Sequence, residues 1–194
     1  TYGSTFNDLP CDALARHPNF SHISGFDVAS RLCRNKALER VEKESGRLDC
    51  LVLAVGTFLS RKTSQTSQDE LESLFRLNAA APFALACEAE RLLSKAESPK
   101  IIFFADSTTD SLAPRKLVAG YAAAKAGLLI LAKSLAYDWR DSKVKIAVIG
   151  VPPIANAPPG MAAKISPEAV ADFAAAVALD NQDFAYDSGD LLEI

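Results

Sequence analysis

A parallel α/β sheet is the fold this sequence predicts, and three features predict it. Leu51–Gly56, Ile101–Ala105 and Val144–Val151 are short continuous apolar runs, the pattern of buried strands. The segments between them are longer, with apolar residues recurring at helical spacing amid charges. Strand and helix alternate along the chain, which favours parallel strands joined by crossover helices.

Each element has its own signal. Thr1–Pro10 is polar and reads as a connection, followed by an expected short helix over Asp12–Arg16. A weakly alternating strand is expected over His22–Phe26, ending at Asp27-Val28. Leu32, Leu38 and Val41 then predict a helix from Ser30 to Lys43, stopped by Gly46. Leu51–Gly56 reads as a strand buried on both faces, and Ser60–Gln68 as a polar loop. Ser67 and Glu70 form a capping box for a helix that starts near Gln68 and continues to about Lys95. Asn78 falls among its apolar residues, an expensive place for an amide without a partner. After the strand Ile101–Ala105, a loop broken by Pro114 and Gly120 leads to a helix beginning at Tyr121. Pro152-Pro153 ends the strand Val144–Val151, and Pro158-Pro159 keeps the next segment irregular. Ser166-Pro167-Glu168 starts a helix that runs to about Leu179: a capping hydroxyl, proline at the first helical position, then an acid. Gly189 precedes a last strand, Asp190–Ile194. The chain reads as one domain over residues 1–194, without internal repeats.

Composition removes several function classes. The 194 residues are 49% hydrophobic and 23% charged, ordinary for one domain with a sizeable core. A net charge of -3 and the absence of a basic cluster argue against nucleic acid as a partner. Lys125 and Lys133 interrupt the apolar segment Ala122–Ala136, so no membrane span is expected. No signal peptide is visible at Thr1. Cys11, Cys33, Cys50 and Cys87 show no paired spacing, and His17 and His22 are too few for a histidine metal site, so no metal is expected. Reduced, mostly buried thiols fit a cytoplasmic protein.

The chemistry concentrates in Lys100–Asp138. The strand Ile101–Ala105 gives way abruptly to Asp106, Ser107, Thr108, Thr109 and Asp110, which places polar side chains at the carboxyl edge of the sheet, where open α/β sheets bind ligands. Tyr121 and Lys125 are one helical turn apart and share a face. A phenol beside an ammonium is suited to proton donation, because the cation favours the phenolate. The pair alone is equally a packed tyrosine with a snorkelling lysine.

In register with one another, these residues resemble the short-chain dehydrogenase/reductase family over nearly the whole chain. Asp27-Val28 looks like the family's adenine-contacting pair. Leu53-Ala54-Val55-Gly56 stands where the family writes Asn-Asn-Ala-Gly, Asn78 where it carries its catalytic asparagine, and Tyr121/Lys125 on its Tyr-x-x-x-Lys. Asp106 falls at the serine position by strand register, as in the pteridine and dihydromonapterin reductase branch. Counting back from Tyr121 lands instead on Thr108. The resemblance implies a Rossmann-like, doubly wound sheet and hydride exchange between NADP or NAD, NADP placed first, and a carbonyl, alcohol or pterin-like small molecule. By the same resemblance Tyr121 is the proton donor and Lys125 binds the nicotinamide ribose. Asn78 holds a relay water, and Asp106, or else Ser107 or Thr108, positions substrate. The cofactor contacts are implied at Asp27, Val28, Ala54, Val55, Gly56, Tyr121, Lys125 and Pro152. Helices such as Leu71–Leu92 and Ala122–Leu135 imply a homodimer or homotetramer.

Four departures accompany the resemblance. Leu53 and Ala54 replace two amides; Asp106 replaces serine; Val151-Pro152-Pro153-Ile154 replaces the usual Pro-Gly. The glycine-rich phosphate turn has no counterpart, as if the chain were N-terminally truncated by about one βα unit. A normally central strand would then be missing, leaving long sheet edges. A non-catalytic relative that binds no nicotinamide cofactor is the alternative expectation.

Overall fold

The computed structural model describes residues 18–107, 116–152, 165–179 and 185–194, together with the backbone of 2–4. The elements, in chain order, are β1 (Tyr2–Ser4), β2 (Ser21–Ile23), α1 (Arg31–Ser45), β3 (Cys50–Leu53) and α2 (Gln68–Phe75). A π turn (Arg76–Ala80) leads into α3 (Ala81–Leu93), β4 (Lys100–Asp106), α4 (Ala119–Asp138), β5 (Lys145–Val151), α5 (Pro167–Ala178) and β6 (Leu191–Glu193). All strand pairings are parallel, and they form a four-stranded sheet in the order β3-β4-β5-β6 and a separate pair, β1-β2. The expected helix at Asp12–Arg16 lies outside the described residues, as do Thr108, Pro153 and the second proline pair.

The helix signals hold at their termini. Ser30 accepts from the Cys33 N–H, and Gly46 takes the left-handed conformation (φ 72°) that closes α1. Ser67 and Glu70 complete both halves of the capping box. Ser166 accepts from the Ala169 N–H above Pro167.

Helices cover both faces of the sheet. Ile101, Phe103, Ala105, Ile146 and Val148 join one core with α1, α3 and α4; Ile102, Ala147 and Ile149 join a second with Ala174, Val177 and Tyr186. Each fully buried aliphatic side chain contributes roughly 1.5–3 kcal/mol. Alternation along β4 and β5 thus explains why these strands read as continuous apolar runs.

Five expectations need correction. Thr1–Pro10 is not wholly a connection, because Tyr2–Ser4 pairs with Ser21–Ile23; three residues are too few to show an alternating pattern. The strand expected over His22–Phe26 stops at Ile23, where Gly25 turns the chain with φ 62°. Leu51–Gly56 is not a strand buried on both faces. Among the described residues β3 ends at Leu53, lies at the edge of its sheet, and leaves Val52 48% exposed. Gly120 does not break a loop but sits in the first turn of α4, where an added Cβ would lie 2.8 Å from the Leu74 side chain. A larger residue there would have to push the Leu74 and Leu71 side chains aside. Finally, Cys33, Cys50 and Cys87 are free but only half-buried.

α4 is 20 residues long with a mean hydropathy of 1.2 over its most apolar window, enough by length and composition to cross a membrane. Here Leu128, Leu129, Ala132 and Leu135 of α4 pack into the core beneath β4 and β5.

Candidate active site

The carboxyl ends of β3, β4 and β5 carry the polar residues that the apolar strands lead up to. β4 and β5 pair in register as far as Asp106 and Val151, and Ser107 continues the ladder by donating its N–H to the Val151 carbonyl at 3.1 Å. Asp106 is therefore the last residue of its strand, in agreement with the strand register. Pro152 follows β5 directly and is half-buried.

Asn78 is fully buried at the centre of the π turn. A π turn widens the helix by one residue and often marks a functional position. Both Nδ2 hydrogens are used, one on the Thr57 carbonyl (2.9 Å) and one on the Leu74 carbonyl (3.0 Å). Oδ1 accepts from the Thr57 N–H at 3.1 Å. The amide thus satisfies both backbone groups of Thr57 and one turn of its own helix, which answers its cost of burial. The apolar spacing reads most simply as a continuous helix through Asn78; the widened turn coincides with this side chain's bond to the Leu74 carbonyl.

Gly56 lies against this amide. A Cβ at position 56 would be 2.6 Å from Asn78 Oδ1 and 3.5 Å from Lys125 Nζ, so Gly56, Asn78 and Lys125 converge on one point. Lys125 comes from the second turn of α4, is 6% exposed, and donates from Nζ to the Phe104 carbonyl at 2.8 Å. Burial pulls its pKa down to about 8, while the charge of Asp106 opposes that shift. Asp106 and Lys125 are therefore close enough to interact. Tyr121, one turn earlier, is half-buried and packs edge-on against Phe58, with ring centroids 5.0 Å apart and planes at 63°. The loop carrying Phe58 is tied to the start of α4 by the Arg61 N–H, which donates to the Leu117 carbonyl at 2.6 Å. Leu117 adopts φ 65°, an uncommon conformation for a non-glycine residue.

Asp27 and Val28 form a separate corner at the start of α1. Asp27 Oδ1 accepts from the Ala29 N–H at 2.9 Å, and the Asp27 carbonyl accepts from the Ser30 N–H at 3.0 Å. Arg34 donates from Nη1 to the Val28 carbonyl at 2.8 Å and forks onto Glu88 of α3 at 2.8 and 2.9 Å. That hydrogen-bonded pairing lowers the pKa of Glu88 and raises that of Arg34. A hydrogen bond from Ser30 lowers that of the Cys33 thiol beside them.

The structure thus brings Gly56, Asn78, Asp106 and Lys125 together, with Tyr121 a turn away. Leu53 is buried, Val55 half-buried and Ala54 exposed. Phe58 escaped the sequence reading, having no pattern around it. Arg34 had a signal: with Leu38 and Val41 it completes an i, i+4, i+7 stripe, and all three are buried. Among the described residues no group of three His, Cys, Asp or Glu side chains is placed to hold a metal ion.

Comparison with known proteins identifies the family. A family model described as short chain dehydrogenase matches residues 11–169. The chain is 31% identical over 148 residues to a cyclic-di-GMP-binding biofilm dispersal mediator protein of Escherichia coli K12, covering 70% of this chain and 61% of that one. It is 29% identical over 121 residues to a tropinone reductase homolog of Arabidopsis thaliana, covering 62% and 44%. It therefore spans less than two thirds of the length of either relative. Among solved structures, a dehydrogenase/reductase from Sinorhizobium meliloti superposes with a TM-score of 0.79 at 22% identity, over 90% of this chain and 73% of that one. A short-chain dehydrogenase from Streptomyces avermitilis gives 0.80 at 20% identity, over 100% and 78%. At such identities these two speak to the fold.

Proposed function

We propose, because the chain belongs to the short chain dehydrogenase family, that it serves a nicotinamide-dependent oxidoreductase acting on a carbonyl, an alcohol or a pterin-like C=N bond. The observation that carries this reading is the burial of Lys125. An ammonium held between the Phe104 carbonyl and Gly56, one turn from Tyr121, is costly for a core and useful for a site. Lys125 has three N–H donors; among the described residues one is seen on the Phe104 carbonyl, and an ammonium so placed suits the ribose hydroxyls of a cofactor. Its charge favours the phenolate of Tyr121, which gives a proton to the substrate oxygen or nitrogen, or takes one from it. Asn78 fixes Thr57 and so the floor beneath Gly56. Asp106 or Ser107, at the end of β4, positions the substrate, with Thr108 the third candidate.

Fit to the cofactor can be judged at its two ends. Among the described residues, the Val28 N–H and Asp27 Oδ2 have no hydrogen-bond partner. That donor and acceptor complement the edge of adenine, which offers an amine donor beside a ring acceptor. NADP or NAD, when bound, would supply the hydride. Nothing in the sequence matches the family's glycine-rich turn for the diphosphate, and Gly3-Ser4 does not replace it. Titration of the chain with NADPH and NADH, followed by nucleotide fluorescence, tests binding. Oxidation of NADPH across a panel of carbonyls and pterins tests turnover. Tyr121→Phe is expected to abolish turnover while leaving binding intact. Turnover that survives this change would sink the catalytic assignment.

A non-catalytic role is the second reading. Leu53 and Ala54 lack the amides of the family pattern, and one relative is named for binding a cyclic dinucleotide. It predicts no response to NADPH or NADH. For assembly, the half-exposed Leu71 and Phe75 of α2 and the exposed Ile130 and Tyr137 of α4 support a homo-oligomer. A monomeric sedimentation profile at micromolar concentration would count against it.

A further inference from the structure

The Asp27–Val28 corner is built by a charged pair 54 residues apart in sequence. We propose that Arg34 and Glu88 are positioning residues for the adenine end of the dinucleotide site, an assignment that rests on the function proposed above.

The corner leaves few groups open. Its acceptors are taken in turn: the Asp27 carbonyl by the Ser30 N–H, Asp27 Oδ1 by the Ala29 N–H, and the Val28 carbonyl by Arg34 Nη1. What stays unpaired among the described residues is the Val28 N–H and Asp27 Oδ2, the donor and acceptor that an adenine edge needs. The guanidinium fixes the Val28 carbonyl, and with it the peptide plane that follows Val28. The Asp27 carbonyl is fixed on the other side. The Val28 N–H shares its peptide with the Asp27 carbonyl and is held by the Ser30 N–H; what Arg34 holds is the Val28–Ala29 peptide, whose N–H grips Asp27 Oδ1 and so sets where Oδ2 points.

Stability alone does not account for the pair. Position 34 lies on the apolar stripe with Leu38 and Val41, where a hydrocarbon would pack without desolvating a charge. Replacing a buried ion pair by hydrocarbons is often neutral or stabilising. What a hydrocarbon cannot do is donate to the Val28 carbonyl. Lysine cannot do it either while also engaging both Glu88 oxygens, because only the planar guanidinium presents donors in a fixed fork. The side chains are 8% and 24% exposed, so Arg34 in particular has little solvent to take the place of its partners. Glu88 in turn anchors the fork to α3, the helix that continues from Asn78, so the adenine corner and the Asn78 turn share one rigid element.

The test compares the wild-type chain with Arg34→Lys and with the double variant Arg34→Met/Glu88→Leu, in which both charges go together so that neither is left buried alone. NADPH affinity is read by fluorescence titration, and 5′-AMP and reduced nicotinamide mononucleotide are used as competitors. Both variants are expected to bind NADPH and 5′-AMP about tenfold more weakly, the loss of one oriented hydrogen bond. Reduced nicotinamide mononucleotide should compete as it does with wild type. Unchanged 5′-AMP binding by the folded double variant overturns the inference and leaves the proposed function standing. Equal losses for the two mononucleotides also overturn it, because they indicate a general loosening. Failure of the wild-type chain to bind NADPH or 5′-AMP overturns both readings.

Discussion

Replacing Lys125 by methionine should make the protein more stable and remove its activity, and the gain should depend on pH. Burial lowers the Lys125 pKa from 10.5 to about 8. At 1.36 kcal/mol for each pH unit between the folded and unfolded values, the charged ammonium opposes folding by on the order of 3 kcal/mol near neutrality. Methionine removes that penalty. It also removes the donor to the Phe104 carbonyl, at a cost of about 1 kcal/mol. The net expectation at neutral pH is therefore stabilisation by roughly 2 kcal/mol. The sign of the pH dependence follows from proton counting. Between about pH 8 and 10.5 the unfolded lysine still holds a proton that the folded one has lost, so wild-type stability climbs with pH through that window. Near pH 10 the advantage of methionine should have fallen to about zero. Urea unfolding followed by the fluorescence of Trp139, the single tryptophan and partly packed on the core, measures both points. Destabilisation by the same amount at both pH values would overturn this account, because it would mean that the ammonium is not desolvated in the fold.

Other changes separate the site from its scaffold. Gly56→Ala pushes a methyl to within 2.6 Å of Asn78 Oδ1, so it should break the Thr57 bonds and cost about 2 kcal/mol in urea unfolding. Asn78→Leu leaves the Thr57 and Leu74 groups without their partner and should cost about 3 kcal/mol by the same assay; a neutral result would show that the π turn closes on itself. Val52→Thr on the sheet edge should change stability by less than about 0.5 kcal/mol, whereas Ile102→Thr in the covered strand should cost several-fold more. The folded pKa of Glu88 is depressed by Arg34, so the stability it contributes is present above its unfolded pKa and lost as the pH falls through the folded value. Glu88→Gln should therefore flatten part of the acid-side decline in an unfolding series, and an unchanged slope would exclude that contribution.

Features that rest on a few neighbouring residues were legible in the sequence. Ser30, Ser67 and Ser166 mark helix starts because a cap needs only the next three residues. Ile101–Ala105 and Val144–Val151 announce covered strands through their own side chains, and Tyr121 and Lys125 share a face because the helix repeat puts them there. Features that need a partner far along the chain were set by tertiary packing. β3 and β4 have similar apolar residues, yet Val52 is exposed and Ile102, its partner on the same face, is buried, because α5 packs on that face over β4 and β5. Gly120 looked like a break until Leu74 of another helix came to lie against it. Asn78 looked like a cost until Thr57 supplied its partners and the helix widened around it. Arg34 shares a stripe with Leu38 and Val41, but only the packing of α1 on α3 brought Glu88 to meet it. Local signals act over one turn or one cap; edges, close approaches and buried charges are properties of two segments at once, and only folding brings the two together.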